Sequence, residues 1–152
     1  ISKGTVFFQA GEEMLRTKDG DENSYKSSDA INNIDWSVLK EGSNEYEMMR
    51  YYQELIRVRQ EYAIFRTLNT AVIANTSYGE GRAAITLDNH AGGKALIVSN
   101  PTGEAMTYNV SGNWHMIVNG VDVMDAPEAV TGSITVPAYT AVVFVNDACL
   151  NG

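Results

Sequence analysis

One cysteine, two histidines and a shortage of basic side chains set the first limits on this 152-residue chain. A single thiol, Cys149, excludes an internal disulfide, and its place in a polar tail reads as an incidental thiol rather than a nucleophile. Lysine and arginine number 11 against 19 acids, for a formal net charge of −8. A protein that neutralises phosphates needs a basic patch, so the balance argues against nucleic acid as a partner and, on the same ground, against an anionic membrane surface. No apolar stretch approaches the roughly 18 residues of a membrane-spanning helix, and no charged segment with an apolar run behind it opens the chain. His90 stands beside a Gly-Gly turn and His115 in a strand-like run, too isolated to imply a metal site or a catalytic base. Internal repeats and low-complexity segments are absent as well.

What is present is enough apolar material, 44% of residues, for a real core. The run Thr5-Val6-Phe7-Phe8-Gln9-Ala10 is apolar on both faces, as in a strand buried on both sides of a parallel sheet. Such a strand needs neighbours, and the next strand-like segments lie beyond residue 70 in a stretch of different character. Residues 1–66 are therefore expected to be the tail of a larger domain. Asn44 and Glu47 have capping-box spacing, and Met48, Tyr52, Leu55 and Tyr62 follow at helical intervals, so the pattern predicts a helix over 44–63. Between strand and helix runs a polar loop of about 30 residues, Leu15 to Ser43, far longer than ordinary connections. Beyond residue 70 the period shortens. Arg82–Leu87, Lys94–Ser99, Met106–Val110, Trp114–Val118, Ser133–Val136 and Thr140–Val145 read as short strands, mostly separated by turn signals such as Asn100-Pro101-Thr102-Gly103, Ser111-Gly112-Asn113 and Asn119-Gly120. Their spacing predicts an antiparallel all-β sandwich over 67–152, with Pro137 marking a strand end or bulge.

The segment Gly4 to Glu13 resembles the eighth-strand signature of the α-amylase superfamily, glycoside hydrolase family 13, with Val6 where that family usually has Pro. Phe7 to Lys18, then Asn23-Ser24-Tyr25-Lys26-Ser27 and Asp29 to Trp36, are similar to type I pullulanases, the debranching members of that superfamily. Tyr52 to Arg59 resembles the last barrel helix of the same enzymes, and residues 70–148 look like their all-β C-terminal domain. The resemblance implies a chain made of the terminal strand and helix of a (β/α)8 barrel, residues 1–66, followed by a C-terminal sandwich, residues 67–152. It also implies that the parent enzyme cleaves α-1,6-glucosidic links in pullulan, glycogen or starch with retention, using two carboxyl groups about 5 Å apart.

In that family the nucleophile, the acid/base and a further transition-state Asp follow earlier barrel strands. The resemblance thus implies no catalytic residue and no cofactor here, and a chain inactive on its own. Glu12 and Glu13 do not fill the vacancy, since neighbours on a strand point to opposite faces. Glu13 matches the family's Gly-x-Glu acid and is expected to accept loop amides or an arginine at the barrel mouth, or else to touch sugar. Arg16, Asn23, Tyr25, Asp29 and Asn32 lie in the long loop, at the barrel face where such enzymes build their sites. A sugar needs a flat apolar surface for its ring, which Tyr25 offers, and planar polar partners for its hydroxyls, which Arg16, Asp29 and Asn32 offer. Hydrogen bonds within the loop are the alternative role for each. Asp19-Gly20-Asp21-Glu22-Asn23 begins like a calcium loop, but Ser24 and Ala30 stand where the motif needs Gly and Glu, so no metal ligand is assigned. Asn75-Thr76-Ser77 and Asn109-Val110-Ser111 match the glycosylation sequon, which matters only in a eukaryotic secreted context.

Two further readings stand beside the hydrolase fragment. One is a carbohydrate-binding module presenting Trp114, Tyr108 or Tyr139 as a platform; the other is a purely structural piece. Exposure of the three aromatics in one patch separates the first of these from the rest. The partners expected are an α-glucan in the intact enzyme and, for the lone chain, a second copy or its own sandwich covering the apolar strand and helix.

Overall fold

The computed structural model describes residues 4–150. Its contacts divide into two compact units, Thr5–Ile56 and a second running from Arg57 onward together with Gly4.

In the first unit, Thr5–Gln9 joins no strand ladder, and the unit holds no strand among the described residues. The buried strand expected here is thus not formed. A ladder needs a neighbour to accept its N–H groups, and the unit supplies none. Phe7 is 94% exposed, whereas Phe8 stacks edge-on against Tyr52 at 5.7 Å. The long loop is a succession of 3-10 turns, Glu12–Met14, Lys18–Gly20, Ser24–Lys26 and Trp36–Val38, with a one-turn helix α1 at Asp29–Asn32. Buried Met14 and Ser24 pin it.

Helix α2 spans Asn44–Glu61 and begins at the expected position, but Ser43 is its cap. The Ser43 hydroxyl accepts the Tyr46 N–H at 3.2 Å and donates to the Val38 carbonyl, so one small side chain both starts the helix and ties it to the loop. At the other end Arg57 and Glu61 pair at 3.0 Å, a half-exposed i,i+4 contact of little energetic weight.

The second unit is all-β. Strands β1 (Ala71–Ser77), β2 (Ala83–Asp88), β3 (Lys94–Asn100), β4 (Met106–Val118), β5 (Val123–Val136) and β6 (Thr140–Val145) form one antiparallel sheet in the order β1-β2-β3-β6-β4-β5. The expected strands are present, but two of them, 106–110 and 114–118, are one strand. Ser111-Gly112-Asn113 is a bulge rather than a turn: four steps from Val110 to Trp114 on β4 face two steps from Gly132 to Val130 on β5. Extra residues bend a ladder, and the bend explains the core. Met106, Val110 and Val136, from the far arm of the β4–β5 hairpin, are buried in one cluster with Ala84, Leu96, Val98, Val142 and Phe144 from β2, β3 and β6. The sandwich is therefore one sheet folded on itself. Its opposite side buries Leu87, Ala95, Val143 and Val145, and the last turns of α2 with the turn Ala63–Phe65 supply buried Val58, Tyr62, Ile64 and Phe65 to the same unit. Asn100, fully buried, closes the structure at one corner. Its amide donates to the carbonyls of Glu104 and Pro137 at 2.8 and 2.9 Å, and its oxygen accepts the Thr102 hydroxyl at 2.7 Å.

Candidate functional site

The loop of the first unit is held by polar side chains turned onto its own backbone. Gly11, at φ +97°, opens a tight turn in which the Glu13 carboxylate accepts the Gly11 N–H at 2.8 Å. A Cβ on Gly11 would stand 2.6 Å from Cδ of Arg16, so only glycine lets that arginine lie across the turn. Arg16 then donates to the Ala10 carbonyl at 3.2 Å and, from its other amino group, to the carbonyls of Ile31 and Asn32. Asn32 completes the bracket by donating to the carbonyls of Ser24 and Ser27 at 2.7 and 3.0 Å. Two of the five expected site residues thus clasp the loop. Asn23, Tyr25 and Asp29 are exposed, Tyr25 at 74% with the Lys26 ammonium 5.2 Å from its ring centroid.

A second network went unread in the sequence. The Asp21 carboxylate accepts the Ser27 hydroxyl at 2.5 Å and the Asn23 N–H at 3.1 Å, and Lys18 donates to the Ser24 hydroxyl at 2.7 Å. The Ser27 hydroxyl, chiefly, and the Asn23 amide hold the Asp21 carboxyl below its usual range. Asp35 is lowered in the same way by Ser37, which it caps. The only sequence signal for this network is an acid followed by small hydroxyl residues at turn spacing.

These turns enclose a cleft of about 280 Å3 lined by Met14, Arg16, Lys18, Ile31, Asp35 and Glu45 among others. Of the five expected residues only Arg16 lines it. Tyr25 and Asp29 point elsewhere, so the exposed candidates and the cleft are not one pocket. Among the described residues no cluster of three or more His, Cys, Asp or Glu side chains is placed to hold a metal ion.

The second unit shows no three-aromatic platform. Tyr108 and Trp114 pack against the core cluster, Tyr108 edge-on to Tyr78 at 6.0 Å, while Tyr139 alone is largely exposed. His115 bonds Asp147 at 2.5 Å across the base of the short helix α3 (Asp147–Leu150). Cys149 is partly buried there, and burial pushes its thiol pKa up.

No family model matches the sequence. The pullulanase of Bacillus subtilis strain 168 is 38% identical to it over 73 residues, which are 48% of this chain and 10% of that protein. The solved pullulanase from Bacillus acidopullulyticus superposes with a TM-score of 0.77 and 28% identity over 95% of this chain and 19% of its own. Pullulanase type I from Bacillus subtilis strain 168, solved with maltose, gives 0.78 over 94% of this chain and 21% of its own; at 20% identity that likeness shows the fold alone. The chain therefore matches a small part of each relative. It is homologous to pullulanase by sequence and folds as pullulanase C-terminal regions do.

Proposed function

From this homology to a glycoside hydrolase we propose that the chain is the C-terminal part of an enzyme cleaving α-1,6-glucosidic links in pullulan, glycogen or starch. Residues 1–66 supply the last strand and outer helix of its (β/α)8 barrel, and residues 67–152 its C-terminal β domain. The observation that carries the reading is that sequence identity and fold point to the same relatives, the fold over nearly the whole chain. The exposure of Phe7 in the ladder-free segment Thr5–Gln9 supports it, since that side chain is suited to burial between neighbouring strands. In the enzyme those neighbours come from the rest of the barrel. For the lone chain a second copy takes their place.

The chemistry divides accordingly. The nucleophile and acid/base belong to the rest of the barrel, and this chain positions sugar. Arg16 and Asn32 hold the loop in shape, while Tyr25 presents a ring face and Asn23 and Asp29 present hydrogen-bonding groups to the substrate. The lone chain is then inactive. A reducing-sugar assay with pullulan tests this: no turnover is expected, and turnover that copurifies with the chain through successive columns overturns it. In a longer enzyme carrying the barrel, Tyr25→Ala and Asp29→Ala should lower kcat/KM with unchanged folding, by an amount corresponding to about 1–3 kcal/mol for each lost contact. Unchanged kinetics for both would make the loop scaffolding only.

A further inference from the structure

The bulge in β4 does more than bend the hairpin. It places Trp114 where two neighbouring clefts meet, of about 530 and 410 Å3, both lined by Gly112, Asn113, Trp114 and Asp147. Lys94 and Asn146 complete the first, and His115 and Thr131 the second. The indole is held in place. Its Nε1 donates to the Ser111 carbonyl at 3.0 Å, and Gly112, at φ +101°, brings the backbone so near that a Cβ there would stand 3.4 Å from that nitrogen. One side of the ring packs on the core cluster. With the N–H already satisfied inside the protein, what the ring offers the clefts is apolar surface.

Around that surface stand an exposed amide, Asn113, an exposed hydroxyl, Thr131, an ammonium, Lys94, and a carboxylate, Asp147. Opposite charges and neutral hydrogen-bonding groups surround one fixed aromatic ring. This is the chemistry that recognises a neutral polyhydroxylated ring: an apolar face for its C–H surface, and mixed donors and acceptors for its equatorial hydroxyls. An anion or a cation would meet an unfavourable partner on one side of the cleft. We propose that the Trp114 clefts form a glucan-binding site carried by the β domain itself, one that uses no residue of the 15–43 loop. The choice of an α-glucan as ligand rests on the pullulanase reading; the site as a sugar site does not.

The chain contains two tryptophans and eight tyrosines, so Trp36→Phe leaves Trp114 as the only tryptophan, which long-wavelength excitation selects over the tyrosines. Titration of that variant with maltotriose is expected to shift the emission saturably, and cellotriose to leave it unchanged. Adding Asn113→Ala and Thr131→Ala should weaken the maltotriose response by about tenfold, as loss of a hydrogen-bonding partner implies. In native gels containing pullulan the unmodified chain should be retarded and Trp114→Ala released, with circular dichroism checking that the latter folds; if it does not fold, the Asn113/Thr131 variant decides the point. No emission change with maltotriose, or retardation that persists in both variants, overturns the inference. An equal or stronger response to cellotriose overturns the α-glucan assignment. None of these results touches the reading of the parent activity, which the hydrolysis assay tests separately.

Discussion

Arg16 and Asn32 show how much a side chain's surroundings decide what its type leaves open. Both are residue types suited to sugar hydroxyls, and in the structure both turn their donors onto carbonyls of the loop that carries them. Asp21 is the complementary case, an acid weighed in the sequence only as part of an incomplete calcium-loop pattern, and it organises the turn before Ser27. Its folded carboxyl is depressed, so the tie it makes is present above the ordinary carboxylate value of 3.8 and is lost as the pH falls through the lower folded value. The Asn23 amide resonance, reporting the hydrogen bond that Asp21 accepts, should therefore titrate with a midpoint below 3.8. A midpoint at or above that value would show the network to be absent in solution. Such local ties escape sequence reading because Asp, Ser and Asn make equivalent short-range bonds in many different turns.

Elements were easier to read where one periodicity dominated. Helix α2 announced itself through its apolar intervals, and β2, β3 and β6 through runs of β-branched residues between turn residues; each begins and ends within about two residues of its expected place. The bulge was misread because Ser-Gly-Asn is equally the signature of a turn, and only the opposing strand shows that the ladder continues. Strand β5 was recognised only at its end, since Asp125, Pro127 and Glu128 suit an exposed edge rather than a core. Thr5–Gln9 failed for the reverse reason: an apolar run expresses a preference for burial, but it does not specify the neighbours a ladder needs. Two substitutions measure the contrast. Phe144→Ala, at the centre of the folded sheet, should cost about 3–5 kcal/mol in urea denaturation. Phe7→Ala, measured at a concentration low enough to keep the chain monomeric, should change stability by less than about 0.5 kcal/mol. Equal losses would mean that Phe7 is covered within the monomer.

For the molecule as a whole, that cover is the question posed by Val6, Phe7 and Phe8, each more than 40% exposed. Sedimentation at high micromolar concentration should show a dimer that Phe7→Asp, with Phe8→Asp, dissociates; a strict monomer would rule out self-association and leave the family relationship standing. The order β1-β2-β3-β6-β4-β5 carries a different consequence, for the route by which the β unit forms. Strands β3 and β6 lie side by side at its centre, with Asn100 opposite Thr140, yet the whole β4–β5 hairpin lies between them in sequence. Closing that span by diffusion alone is slow. Zipping the hairpin first draws its two ends together and leaves a short gap for β3 and β6 to bridge. The tip that starts the zipper is local: the Asn119 side chain accepts the N–H groups of Val121 and Asp122 at 2.9 and 2.8 Å. Asn119→Ala should therefore lengthen the refolding half-time in stopped-flow experiments and barely alter unfolding, whereas an equally destabilising change in the edge strand β1 should speed unfolding and leave refolding unaltered.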